Sequence, residues 1–554
     1  MKINFLIVLI LILSIFLRFW HLNEFPATLY GDEQAFAWNA YNILLTGKDE
    51  YGKPFPLEFR SFDDYKAPIP VYILVPFFKV MGMNMFSIRL PVAISSVITV
   101  YAVYLLSGLF FRKKASLIIT FLMAISPWHI HLSRGYFEAT MSLLFFILGI
   151  YFYFASKNRL KIMFFGIFFF ALSLYTYFTP RILVPIFLLF LFIYSYKYRD
   201  RLVTAKEMLK KFTVSFIFFI ILISPLIKVT FFGEGLSRFN KLTGSLELEA
   251  VQTVVKERNT SNLSARWKPL FHNRYLATVR LVADNYLELL SPNFWYIYGD
   301  SSLRYFTGNM GMFYLLEFPF FIVGAYLLFV KKRKVALFFF VWILLAPIPA
   351  ALVGKPYAVR TLAILPAPFI FVGYGIYKSF DMVKYMFGRR ILTVSLVLLF
   401  TLSLFTLLIR YYMEYPVYAA TWWGWENKAA IDYAMARSTK YKDIFISNFY
   451  SGATLAFAVY NHYDPIQYRY AINHPVTMAD GRHLVKLGKY YFGSLDLNKN
   501  RLEEKIIPTD SLYIGRPEEP RGEDQIVAPD DGRLIFVVHD TLRKKCYIYA
   551  KIPC

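Results

Sequence analysis

Cysteine is almost absent: the chain has two in 554 residues, Cys546 and Cys554, both at its C-terminal end. So few thiols give neither a CxxC metal site nor a disulfide framework, and the pair is compatible with one bridge or with two free thiols. Charge is also scarce, at 18% of residues against 57% hydrophobic and 19% aromatic, which excludes an ordinary soluble domain. HExxH, GxxxxGKS/T and GxSxG are missing, so zinc hydrolysis, nucleotide hydrolysis and serine hydrolase chemistry lack their usual parts. His129 and His131 in WHIHL come nearest to a metal pair, but on a helix they point in different directions and read as interfacial histidines. No internal repeat is evident, which counts against transporter folds built from duplicated halves.

What the chain has is long apolar runs. A helix needs ~20 apolar residues to cross a bilayer, and candidates lie near 3–20, 86–111, 115–131, 139–156, 162–178, 181–196, 212–230, 311–330, 335–352, 361–378 and 391–410. The opening MKINFLIVLILILSIFLRFW lacks a small-residue cleavage site and reads as a retained first span. A net charge of +24 would point to nucleic acid in a soluble protein, but here Lys and Arg cluster in the joints between apolar runs. With Lys2 inside, alternation puts RKK at 112–114, KNRLK at 157–161, the segment 197–211, KKRK at 331–334 and the segment 378–390 on the cytoplasmic side, as the positive-inside rule requires. The proline-rich APIPVYILVPFFKVMG at 67–82 would break this pattern as a span, so it is expected to lie on the outer surface.

The expected fold class is therefore an α-helical polytopic membrane protein. It has about 11 transmembrane helices, outer-surface juxtamembrane helices, and a small C-terminal α/β extracytoplasmic domain. Residues 1–410 form the membrane domain with outer loops 21–85 and 231–310, and residues 411–554 the extracytoplasmic domain. In the latter, DIFISNF, GRLIFVVHD and KKCYIYAKI read as strands and SGATLAFAVYNHY as a helix, while the tryptophans of TWWGWE read as interface anchors. The chain is expected in the cell membrane, N-terminus cytoplasmic and C-terminus extracytoplasmic.

That topology gathers chemistry on one side. LYGDEQAFAWNAYNILLTG at 29–47 places Asp32 and Glu33 at the start of a helix that Gly47 stops, where Asp32 serves as N-cap and Glu33 as a first-turn acid. In SRGYFE, Arg134 and Glu138 are four apart, the spacing of a helical ion pair. Lys66, in FDDYKAPIPVY, reads plainly as snorkelling beside a surface helix, and Arg360, in GKPYAVRTLAILPAP, as a headgroup anchor. All of them fall in the same outer layer. Charges at a membrane edge are costly and tend to be functional, so acids and bases on one face suit an anionic lipid headgroup and a hydroxyl acceptor.

These segments resemble, in order, the GT-C class of polytopic glycosyltransferases, in particular relatives of the protein O-mannosyltransferases (glycosyltransferase family 39) and of the lipid A aminoarabinose transferase. The matching stretches are GDE at 31–33, DDYKAPIPVY followed by NMFSIRLPVAI at 84–94, SRGYFEATMSLLFF, LSLYTYFTPRILVP at 172–185, and KPYAVRTLAILP. The resemblance covers roughly residues 1–380. It implies transfer of a sugar from a polyprenyl-phosphate donor to a protein, lipid or glycan acceptor at the outer face, with inversion. Asp32 would be the general base, with Glu138 orienting a basic partner or the acceptor. Lys66, Arg134 and Arg360 would bind the donor phosphate, and Glu33, Tyr65, Tyr175 and Tyr357 would be accessory. No cofactor is called for; some enzymes of the class use a divalent metal, which lysine and arginine replace in the reading favoured for this chain. No nucleic acid partner is expected.

Two other readings use the same charged surface. A transporter or flippase of lipid-linked sugars would need ionisable residues near mid-membrane, whereas Glu317 lies close to the outer end of its helix. A polymerase or ligase using lipid-pyrophosphate donors would need a denser basic set, for which Arg258, Arg266, Lys268, Arg274 and Arg280 are available.

Overall fold

Each apolar run of the sequence carries a helix in the computed structural model, which describes residues 5–62, 64–157, 159–198, 204–232, 235–355, 357–383, 385–450, 452–478, 481–495, 507–519 and 522–542. Side chains of 231–243 and 245 are outside this description, as are Cys546, Cys554 and the expected strand KKCYIYAKI. The described chain separates into two units, one of residues 1–20, 64–70 and 90–409, the other of residues 21–63, 71–89 and 410–554.

The first unit is helical. Among the described residues, six helices of the chain are long and apolar enough to cross a membrane, and a seventh span forms if Ala358–Ile364 and Ala367–Met382 count together across their 54° bend. Pro366 sits at that bend, where its missing N–H and ring break the helical ladder. The helices Phe5–Phe19, Lys113–Ile125, Leu160–Thr176 and Glu317–Lys331 have 15, 13, 17 and 15 residues. At ~1.5 Å per residue they reach only about 20–26 Å, short of the ~30 Å hydrocarbon core. Length therefore does not establish the expected count of about 11 crossings. The Pro68–Met81 segment is a helix of 14 residues with Pro76 inside it.

Close packing in this unit relies on glycine. A Cβ on Gly324 would lie 1.9 Å from the Phe371 carbonyl oxygen, and one on Gly375 would lie 2.1 Å from that of Phe320. The helices Glu317–Lys331 and Ala367–Met382 therefore touch backbone to backbone, as membrane helices do at small residues. Two buried arginines serve helix ends, Arg18 that of Lys113–Ile125 and Arg134 that of the first helix. Arg18 donates to the carbonyls of Ser14 (3.3 Å) and Ala124 (3.0 Å) and meets His129 Nδ1 at 2.8 Å. Arg134 donates to those of Leu17 (3.2 Å) and Trp20 (2.7 Å). Carbonyls left unpaired at a helix C-terminus attract such cations.

Among the described residues, the second unit is built around a seven-stranded mixed sheet. Its strand order is Val476–Thr477, His483–Leu487, Tyr490–Phe492, Asp443–Ile446, Ser511–Gly515, Leu534–Asp540, Asp524–Val527. Asp443–Ile446 pairs in parallel with both its neighbours, and the remaining pairings are antiparallel. Every residue of Ser511–Gly515 is buried, the pattern of a strand covered on both faces.

The loop that follows the first helix belongs to this unit. Its helix Gly31–Thr46 packs on Ala453–Tyr460 and Pro465–Asn473. Thr28 Oγ1 donates to the Trp423 carbonyl at 2.6 Å, the Leu29 amide to the Tyr460 hydroxyl at 3.0 Å, and Arg469 to the Asp49 carbonyl at 2.7 Å. These bonds group residues 21–63 and 71–89 with the segment after 410, whereas hydropathy along the sequence assigns them to the membrane domain. Trp423 is 1% exposed, stands edge-on to Tyr30 at 5.4 Å and donates to the Tyr415 hydroxyl at 2.6 Å. It is core and not an interface anchor.

Two stability outcomes follow from these contacts. Gly324→Val forces two helix backbones apart and should lower the thermal midpoint in detergent sharply; an unchanged midpoint would refute the backbone contact. Glu33 and Arg89 form a fully buried ion pair at 3.1 Å, and Glu33→Ala strands the guanidinium at a cost of about 3–5 kcal/mol, measurable by denaturant unfolding.

Candidate functional site

The helix Gly31–Thr46 starts from Tyr30, the actual N-cap, so Asp32 occupies its second position and not the cap. Glu33, at the third position, accepts from the Tyr30 amide at 3.3 Å. Its carboxylate is then held by Arg89, whose Nε and Nη2 reach the two oxygens at 3.1 and 3.3 Å. The same guanidinium donates to the carbonyls of Pro26 (2.8 Å), Thr28 (2.7 Å) and Leu22 (3.3 Å) and lies 5.8 Å from the Trp423 ring centre. Glu33 is thereby consumed by structure. Asp32, one residue earlier, remains half-buried in the first turn.

In the helical unit, Glu138 is the first residue of the helix Glu138–Ala155 and is half-buried. Residues 133–136 form a turn, so Arg134 and Glu138 do not share a helix. Arg134 is instead fully buried against the end of the first helix. Lys66 is buried too, its ammonium 3.3 Å from Asp64, and Tyr65 beside it is 9% exposed.

A polar and aromatic cluster gathers about Tyr177 in this unit. Tyr177 stands just past the end of Leu160–Thr176 in extended conformation, hydrogen-bonded to Thr179 and within electrostatic reach of Glu138, Arg360 and Tyr305. Arg360 is half-buried; it donates to the Val353 carbonyl at 2.9 Å and lies 5.2 Å from the Tyr357 ring centre. Tyr357 in turn meets Tyr305 at 5.1 Å. Tyr175, two residues before Tyr177, donates instead to the Leu222 carbonyl at 2.8 Å.

One buried acid links the two loops of this cluster. Asp300 accepts from the Ser302 amide at 2.7 Å and from the Ala358 amide, tying the loop that bears Tyr305 to the segment that bears Tyr357 and Arg360. Burial pushes its carboxyl up to about 6; the two amides and Arg360 oppose this, and Glu288 adds to it. The basic residues of 258–280 are largely engaged with their own surroundings: Arg274 meets Glu247 at 2.6 Å, Arg280 pairs with Glu257, and Lys268 donates to the Arg258 carbonyl at 2.7 Å. Among the described residues, no group of three His, Cys, Asp or Glu side chains converges as a metal site would.

This arrangement has the fold of the GT-C membrane glycosyltransferases. Residues 65–227 match the dolichyl-phosphate-mannose-protein mannosyltransferase family. ArnT from Cupriavidus metallidurans in the apo state is similar over 97% of this chain and 98% of its own, with TM-score 0.51 and 11% identity. The same protein bound to undecaprenyl phosphate gives 0.51 and 12%, over 96% and 97%. The oligosaccharyltransferase AglB from Archaeoglobus fulgidus, in complex with an inhibitory peptide and a dolichol-phosphate, gives 0.50 and 16% over 82% of this chain. The match spans 63% of AglB's length. No curated protein sequence matches the chain.

Sequence reasoning did not single out Arg89, Tyr177, Asp300 or Tyr305. Arg89 stands in the quoted RLP and Tyr177 in the quoted YTYFTP, so both carried a signal; Asp300 and Tyr305, in GDSSLRYF, carried only composition. Asp300 makes a pH-dependent contribution with a defined sign. Its carboxyl binds a proton more tightly folded than unfolded, so stability relative to Asp300→Asn should fall as pH rises from the ordinary carboxylate range to about 6 and then level off. Thermal unfolding of both chains across that range measures it, and parallel curves would refute the assignment.

Proposed function

We propose that this chain transfers a sugar from a polyprenyl-phosphate donor to an acceptor at the outer face of the membrane, with inversion and with Asp32 as general base. The observation that carries the reading is the division of labour between adjacent carboxylates: Glu33 is 0% exposed and locked to Arg89, while Asp32 is half-buried on the same rigid turn. A base held in one direction by its neighbour's structural role needs little reorganisation on reaction. A helix N-terminus also favours a carboxylate in its ionised form.

In the proposed reaction the acceptor hydroxyl gives its proton to Asp32 as its oxygen bonds to the anomeric carbon. The bond from that carbon to the phosphate oxygen breaks, and the electron pair leaves with the polyprenyl phosphate. An anionic leaving group needs positive charge more than an acid, so Lys66 and Arg360 are assigned to the phosphate. Arg134, buried on backbone carbonyls, holds the turn from which Glu138 emerges. Glu138 with Tyr177 orients a basic partner or the acceptor. The dolichol-phosphate and undecaprenyl phosphate bound by the similar structures support a lipid-phosphate donor.

Asp32→Asn should leave donor binding intact and lower turnover by ~10²–10⁴. Transfer from radiolabelled polyprenyl-phosphate sugars to candidate acceptors measures this, and equal turnover by the variant would overturn the base assignment.

A further inference from the structure

The unit that carries Asp32 contains a cavity of about 180 Å³, lined among others by Glu50, Tyr51, Ser61, Phe62, Tyr468 and Asn473. At ~30 Å³ per water it has room for about six waters, enough for a single small ring. Its walls combine aromatic rings with a few polar groups, the make-up of a small-molecule site. Tyr51 and Phe62 are 50% and 40% exposed, whereas Tyr468 is buried and packs edge-on against Trp38 at 4.8 Å. Arg60 lies over the Tyr51 ring at 5.1 Å, a cation–π contact that orients it.

One feature marks the cavity as built. Phe62 is held at φ 52°, a conformation rare for a bulky residue and one that persists only when its surroundings impose it. Its ring faces Gly31, where a Cβ would lie 3.6 Å away, so one wall of the cavity adjoins the turn that bears Asp32.

The chemistry selects among ligands. Arg469 lines the cavity, but its nitrogens already serve the carbonyls of Glu50 (3.1 Å) and Asp49 (2.7 Å) and Asn42 Oδ1 (3.5 Å). With Glu50 beside it, the site does not suit a phosphate. The polar groups Glu50 and Asn473 equally do not suit a hydrocarbon chain. A ring with one apolar face and several hydroxyls satisfies both kinds of wall. We infer that this cavity binds a pyranose ring of a glycan, presented as part of the acceptor; the word acceptor rests on the proposed transfer reaction, the binding itself does not.

The test uses the full chain in detergent, with methyl α-mannoside, methyl glucoside, methyl galactoside and N-acetylglucosamine as probes in saturation-transfer NMR. At least one glycoside should bind, roughly tenfold more weakly in Tyr51→Ala and Asn473→Ala, with thermal midpoints confirming that both variants fold. Asp32→Asn should bind as the wild type does. No binding to the folded wild type, affinity unchanged in both cavity variants, or displacement by an unglycosylated peptide but by no glycoside would overturn the inference. Loss of turnover in Asp32→Asn with binding intact supports both readings. Transfer activity without glycoside binding sinks the cavity alone, and glycoside binding with full turnover in Asp32→Asn sinks the base alone.

Discussion

The second unit depends on the ion pair of Arg89 with Glu33. Both side chains are 0% exposed, and the guanidinium also gathers three backbone carbonyls from the stretch between His21 and Leu29. A buried pair of this kind gains little net stability over apolar packing, but leaving either partner alone is expensive. It therefore acts as a fixing device. The chain leaving the first helix is pulled onto one side chain, the helix Gly31–Thr46 starts at a set residue, and Asp32 inherits a direction.

The helical unit uses its cations in a related way. Arg18 and Arg134 are buried where carbonyls at a helix end would otherwise lack donors, and Arg360 spends one nitrogen on Val353. Counting basic residues on one face therefore overstates the charge offered to a ligand. Half-buried Arg360, beside Tyr357 and within electrostatic reach of Tyr177, differs from fully buried Arg134 in this respect.

Much of this was legible in the sequence, for identifiable reasons. Apolar runs became helices because hydropathy is a local property, and Gly47 stops its helix with φ 68°, as a glycine there should. The strands Asp443–Ile446 and Leu534–Asp540 lie within DIFISNF and GRLIFVVHD. What escaped was non-local. Tyr30 caps where Asp32 was expected because cap identity follows backbone conformation, which here is set by Arg89, 56 residues away from Glu33. Arg134 and Glu138 had helical spacing but a turn between them. Tyr175 and Tyr177 are the same residue type two positions apart, and only the end of a helix at Thr176 separates a structural hydroxyl from one in the cluster.

The second unit is discontinuous, and that has a consequence for how the protein is made. Leu29 finds the Tyr460 hydroxyl across 431 residues of chain. At ~5–20 residues per second of synthesis that gap lasts about 20–90 s. Throughout that interval the helix bearing Asp32 has left the ribosome without the surfaces it is built to rest on. Any catalyst formed on that helix is thus absent from a nascent chain that already has its helical spans, and appears only when the later segment closes over the earlier one.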